Sequence, residues 1–371
     1  MPGGRRRIRG AVGAWCAAAL LLVLSGCAGG AAAPPDTTRA DIQRTLDARA
    51  ADERRRLADV PLSSWEYRLS EVRRTGDRAT AQAQLRYRID GYDAAPVSTT
   101  RTLELRRSGQ EGDWYVTADR AGPGGAQQLW QQGDVDVVRG TRSLVLGAGQ
   151  DPARLRAIAA EADRAVPAVS AAWPEKWAGR VVVLVPPSLD AMGALLSAPA
   201  ASYRGIAAVT TGTRVIVNPE AYESLSELGR RVVLTHETTH VATRPHTTSA
   251  TPMWLSEGFA DWAAFRGTGR TAAQTAPELR RSVRGGAVPA ALPADAAFGF
   301  GTDADALARA YQGSWLACEL IADRWGPRAL TDLYRSVGKG AGLESALRDV
   351  LGTTVEGFTG EWRGYVRGRL R

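Results

Sequence analysis

The chain's three histidines, His236, His240 and His246, fall within eleven residues of a 371-residue sequence, and two of them frame the run His236-Glu237-Thr238-Thr239-His240. Chance supplies a His-Glu-x-x-His run on the order of once in a thousand sequences of this composition. The run constrains the fold because its chemistry needs a helix. Residues four apart stack on one helical face, so both imidazoles can reach one zinc ion, while Glu237, one step on, is directed towards a water on that ion. The flanks agree: Ser224-Leu225-Ser226-Glu227 reads as a capping box, Leu225, Leu228, Val232 and Val233 supply an apolar flank, and Pro245 ends the run. A catalytic zinc keeps one position open, so a third protein ligand is required. Two residues compete. Glu257 follows His240 after 16 intervening residues, and Thr251-Pro252 marks the start of a second helix from which it would project. His246 is the rival, six residues beyond His240.

The segment Trp254-Leu255-Ser256-Glu257-Gly258 resembles the Trp-Leu-x-Glu-Gly signature of gluzincin metallopeptidases. That resemblance implies a zincin-like fold from about Val135 to the carboxyl end, with Glu257 as third zinc ligand. It also implies that Asp261 hydrogen-bonds a zinc histidine and fixes its tautomer. The spacing from His236 through Thr243 to His246 is instead similar to the metzincin pattern. Metzincins carry glycine where this chain has Thr243, and a β-branched residue suits that turn poorly. The implied reaction is peptide hydrolysis: zinc acidifies a water and polarises the carbonyl, and Glu237 moves the proton from water to the leaving amine. A donor to the developing oxyanion is expected from Tyr311, in a helix from about Asp303 to Trp325, with Tyr334 as an alternative. Arg214 to Val217 resembles the zincin edge strand on which a peptide lies by strand addition.

The preceding third follows different rhythms. Ile42, Leu46, Ala50 and Leu57 recur at helical spacing, whereas Ala81, Ala83, Leu85, Tyr87 and Ile89 alternate with polar residues as in a half-buried strand. Arg101 to Arg107 and Trp114 to Ala118 read as further strands. A helix followed by an antiparallel sheet loosely resembles the nuclear transport factor 2 superfamily. The expected fold class is α+β: an N-terminal α+β domain over 37–124, closed by the break Ala121-Gly122-Pro123-Gly124-Gly125, then a zincin-like domain over 125–371 with a mostly helical C-terminal half. Within the latter, Val135 to Val145 reads as a strand, Asp151-Pro152 opens a helix, Val181 to Val185 is a continuous apolar strand, Leu189 to Ser197 is a short helix, and a hairpin turns around Thr211-Gly212.

The amino terminus speaks to location. Basic residues Arg5, Arg6, Arg7 and Arg9 precede an apolar stretch from Ala11 to Leu24, too short to span a bilayer core of about 30 Å. Leu24-Ser25-Gly26-Cys27 is similar to the lipobox of bacterial lipoproteins. It implies a signal peptide over 1–26, a lipid anchor on Cys27, a tether over 27–36, and a protein held on the extracytoplasmic face of the membrane. The export route is left open between a general secretory and a twin-arginine pathway. Composition adds two points. Half of the formal charge of +8 sits in those four arginines and the rest is dispersed, which gives nucleic acid no footprint. Arginine, alanine and glycine usage is similar to that of high-GC, actinobacterial sequences. Cys16 leaves with the signal and Cys318 reads as a buried hydrophobe, so no disulfide is expected. The reading is a membrane-tethered zinc metallopeptidase acting on peptide or protein substrates. The alternative is an envelope binding or assembly lipoprotein whose zincin part is vestigial or hydrolyses a non-peptide substrate.

Overall fold

In the computed structural model, which describes residues 37–109, 112–299 and 303–371, the chain opens with helix α1 (Thr38–Arg56). Four antiparallel strands follow in meander order: β1 (Leu62–Thr75), β2 (Arg78–Ile89), β3 (Val97–Arg107) and β4 (Trp114–Ala121). The expected alternation holds in β2, whose alanines, Leu85, Tyr87 and Ile89 are buried, and Ile42, Leu46, Ala50 and Leu57 face the same core. Strand β1 was not anticipated. Its buried residues Trp65, Tyr67 and Leu69 alternate over only five positions before a bulge between Leu69 and Glu71 shifts the pattern. The outer strands converge on α1: Tyr67 of β1 and Asp119 of β4 meet at 3.2 Å, so the sheet curls around the helix.

The second sheet has the order β5-β6-β7-β9-β8. Its strands are β5 (Val135–Arg139), β6 (Ser143–Ala148), β7 (Val181–Val185), β8 (Ala208–Thr211) and β9 (Arg214–Val217). The stretch read as one strand from Val135 is thus a hairpin. Asp163 accepts hydrogen bonds from the Thr141 and Arg142 amides and from Ser143 Oγ, and a side chain at Gly140 would collide with its carboxylate. The β6-β7-β9 ladder is parallel, with α2 (Pro152–Ala172) and α3 (Leu189–Leu196) in the crossovers. Asp151 and Ser188 cap these two helices by accepting from amides of their first turns.

Both faces of this sheet are covered, which explains the unbroken apolar run in β7. Val181, Val183, Val185, Val215 and Val217 face α2 and the motif-bearing helix; Leu144, Leu146, Val182 and Ile216 share a core with the curled sheet and α1. One further tie joins the same regions. Arg214 donates to both carboxylate oxygens of Asp93, in the loop after β2, at 2.7 Å each, with both side chains buried.

After α4 (Pro219–Glu223) the chain is helical: α5 (Glu227–Thr243), α6 (Met253–Phe265), α7 (Ala272–Thr275), α8 (Pro277–Arg284), α9 (Ala304–Arg324), α10 (Pro327–Gly338), α11 (Leu343–Leu351) and α12 (Val355–Leu370). Their core centres on Trp173, Phe259, Leu316, Tyr334, Phe358 and Trp362, with free Cys318 buried in it. The fold class is α+β, with an antiparallel-sheet region and a helical C-terminal half. Residues Thr38–Arg371 form one compact unit. The expected signal peptide over 1–26, lipid anchor on Cys27 and tether over 27–36 fall on residues outside the described ones; among the described ones, no helix is long and apolar enough to cross a membrane.

Candidate metal centre

Helix α5 begins two residues later than the capping box implied. Ser224 ends α4, and Ser226 is the N-cap, its hydroxyl accepting from the Gly229 amide. The expected apolar flank is only half-buried; the deeply buried stretch runs from Leu234 to Thr243. Threonines are tolerated there because Thr235 and Thr239 donate to the carbonyls four residues earlier. Helix α6 starts at Met253, whose amide is capped by Asp295 at 2.8 Å. It packs on α5 on one side and on α9 on the other. The α9 contact requires Gly258: a Cβ there would lie 2.3 Å from the Ser314 carbonyl oxygen and 2.9 Å from Cys318 Sγ.

This packing brings three donors together. His236 Nε2 and His240 Nε2 are 3.1 Å apart, and Glu257 Oε2 lies 3.2 Å from the first and 3.4 Å from the second. Two imidazole nitrogens and one carboxylate oxygen, all within 4.8 Å of one another, are the set that holds a divalent cation with a coordination position to spare. Asp261 Oδ1, one helical turn beyond Glu257, lies 2.7 Å from His236 Nδ1 and so leaves Nε2 to face His240 and Glu257.

The electrostatics fit a cation. Glu237, Glu257 and Asp261 are all largely shielded, and among the described residues none of them pairs with an arginine or lysine. Burial lowers the pKa of His236, but Asp261 and Glu257 more than offset it and hold the imidazole well above its ordinary value. Burial raises the Glu257 carboxyl, and His240 and His236 reverse this to leave it well below the usual carboxylate range. The carboxylates that favour a charged His236 would equally favour a cation among them.

Glu237 stands apart from the ligand set. Its carboxylate Oε2 accepts from Thr210 Oγ1 at 2.7 Å, a contact that sequence reading did not anticipate. Burial pushes its pKa up, with His236, His240 and Thr210 pulling the other way. Tyr311, from α9, sits with its ring 6.4 Å from that of His236 and edge-on to Phe298. Burial, then the carboxylates of Glu257, Asp261 and Glu237, raise its hydroxyl pKa and keep it a donor. That hydroxyl has no partner among the described residues.

The competing candidates lie elsewhere. Thr243 stays in the helical region, so the chain does not turn back as a metzincin-like third histidine would need. His246 sits in the turn that follows, its ring edge-on to Trp173, its carbonyl oxygen where a side chain at Gly338 would be. Tyr334 is fully buried, its hydroxyl at 2.8 Å from Thr247 Oγ1 and donating to Ser256 at 3.4 Å. The edge strand also differs from expectation. The turn at Gly212-Thr213 folds β9 back between β7 and β8, so the outer strand beside α5 is β8 and not Arg214–Val217. A recess of about 500 Å³ lined by Arg154, Glu161, Tyr222 and Arg230 lies at the opposite end of α5, and Arg154 and Arg164 there are paired with Glu223 and Glu161.

No protein-family model and no curated protein matches the chain. Among solved structures it is similar to native yeast LTA4 hydrolase, at a TM-score of 0.40 and 14% identity over 62% of this chain and 39% of that one. It is also similar to an M1 zinc metallopeptidase from Deinococcus radiodurans, at a TM-score of 0.38 and 17% identity over 84% of this chain and 61% of that one. A variant of that enzyme bound to a Tyr-Ser-Ala substrate gives a TM-score of 0.35 and 17% identity, over 84% and 62%. The chain thus spans less than two thirds of the length of each.

Proposed function

We propose that the chain is a zinc-dependent peptide hydrolase. The observation that carries this reading is the convergence of His236, His240 and Glu257 beside a buried carboxylate, Glu237, that is not part of the donor set. His236, His240 and Glu257 would hold the ion, with Asp261 orienting His236. When bound, zinc would acidify the attacking water and polarise the scissile carbonyl. Glu237 accepts the water's proton on its carboxylate and returns it to the departing amine nitrogen. Tyr311 donates its hydroxyl proton in a hydrogen bond to the carbonyl oxygen as negative charge develops there. The open edge of β8, next to α5, offers main-chain groups to an extended peptide. The lipobox-like Leu24-Ser25-Gly26-Cys27 supports a lipid anchor that places this activity on the outer face of the membrane.

Metal analysis combined with cleavage of a broad peptide library tests the reading. Glu237→Gln should keep zinc and lose at least about 10²–10⁴-fold in turnover, and Tyr311→Phe roughly 10–10³-fold. Wild-type protein that holds zinc yet cleaves nothing, or a Glu237→Gln protein as active as wild type, would remove the peptidase reading. Cys27→Ala should move the protein from the membrane fraction to the medium; retention in membranes would remove the anchor.

A further inference from the structure

Strand β8 touches the site in two ways, through its main chain and through one side chain. The Asn218 amide donates to the Ala207 carbonyl at 2.9 Å, and the β8–β9 register pairs Ala208 with Val217, Val209 with Ile216, Thr210 with Val215 and Thr211 with Arg214. Hydrogen-bonded pairs alternate along an antiparallel ladder. Ala207, Val209 and Thr211 therefore spend their N–H and C=O groups on β9, while those of Ala208 and Thr210 face the edge with which no described strand pairs. Side chains alternate with the same period. Val209 packs towards the curled sheet, whereas Ala208 and Thr210 point to the face that α5 covers. There the Thr210 hydroxyl lies 2.7 Å from Glu237 Oε2 and 2.9 Å from the Glu237 carbonyl oxygen.

We infer that Thr210 is a positioning residue that ties the proton-accepting carboxylate to the strand on which the substrate lies. The inference rests on the peptidase reading of this site and deepens it. Thr210 holds Glu237 from outside the helix that carries it, and its own N–H and C=O are among the groups left for an incoming strand. A peptide pairing with Ala208 and Thr210 would use its main chain at alternate residues, so the substrate class is an extended segment recognised through its backbone. Tightening or displacement of β8 by such a segment is felt directly at Glu237. A methyl group in place of the hydroxyl would leave the ladder intact and release the carboxylate.

The test uses purified full-length protein, loaded with zinc, and the fastest-cleaved peptide from a quenched-fluorescence library. Thr210→Val should lower kcat about 10- to 100-fold, the effect of removing a hydrogen bond to a charged group, and leave KM within about 2-fold. Thr210→Ser, which keeps the hydroxyl, should recover most of the loss, and zinc content should stay unchanged in both. Thr211→Val, on the exposed turn side of β8, should behave as wild type. Full activity in Thr210→Val, or a loss in Thr210→Ser equal to that in Thr210→Val, would overturn the inference and leave the peptidase reading standing. So would loss of zinc or of native fold in both variants alike. Zinc-loaded wild-type protein that cleaves nothing would overturn both.

Discussion

Two clusters of shielded carboxylates lie in this molecule, and they are balanced in opposite ways. Under α1, Glu53 and Asp119 meet Arg49 and Arg101: Arg49 pairs with both acids at 2.9 and 3.1 Å, and Arg101 Nε with Asp119 at 2.8 Å. Tyr67 and the Trp65 indole donate into the same group. Between α5 and α6, Glu257 and Asp261 pair with two imidazoles and Glu237 accepts from the Thr210 hydroxyl, and among the described residues no arginine or lysine answers any of the three. The first cluster balances its charges within the chain, although Arg49 Nε and Arg101 Nη2 are buried with no hydrogen-bond partner among the described residues. The second has more acid than the chain itself neutralises, and imidazole nitrogens turned inward, which is how a polypeptide is arranged when the missing charge is to come from an ion.

The sharpest test of this contrast is to unbalance the first cluster. Asp119→Ala leaves Arg101, which is 1% exposed, without its carboxylate and should cost about 3–5 kcal/mol in denaturant unfolding. A cost under about 1 kcal/mol would mean that the network is not a closed unit. Next comes the incomplete cluster. Zinc at about 100 times its Kd should stabilise the wild-type fold by about 2.7 kcal/mol. Glu257→Ala should abolish that gain and His246→Ala should keep it, while Asp261→Asn should weaken zinc about 10- to 100-fold. Equal zinc stabilisation of wild type and Glu257→Ala would erase the distinction between the two clusters. The smallest effect is a pH dependence. Burial raises the Glu53 pKa above 4.5, against the pull of Arg49. A carboxyl whose folded pKa is raised binds its proton more tightly folded than unfolded, so this group's contribution becomes more favourable as pH falls through the folded pKa towards 4.5. Wild type should therefore gain on Glu53→Gln upon acidification, by no more than about 1–2 kcal/mol in paired unfolding curves. The reverse slope would show Arg49 to be the stronger influence.

What was legible in the sequence was what is local. The two histidines, Glu237, Glu257 and Asp261 lie on two helices whose boundaries are marked by Pro245, Thr251 and Pro252, and the structure brings four of these five side chains into contact. Alternation exposed β2 because its pairing is regular; β1 escaped because a bulge interrupts its period. Strand order was not legible. Arg214–Val217 and Ala208–Thr211 are both short and apolar at one end, and only the parallel pairing of β9 with β7 decides which is outermost. Thr210 was invisible for the same reason, since its meaning comes from the face of a strand whose place was unknown. The capping serines differ by two residues because α4 ends on Ser224 before α5 begins.

The buried pair of Arg214 and Asp93 gives the molecule a history as well as a shape. Arg214 stands opposite Thr211 in the ladder, one step from Thr210, and its charge is answered by a residue more than a hundred positions earlier. The same first sheet also covers Leu144, Leu146, Val182 and Ile216. Removal of the opening α+β segment would leave the Arg214 guanidinium without its carboxylate under the edge hairpin and one face of the second sheet wet. The two parts are therefore expected to be inherited as one piece, changing together or not at all.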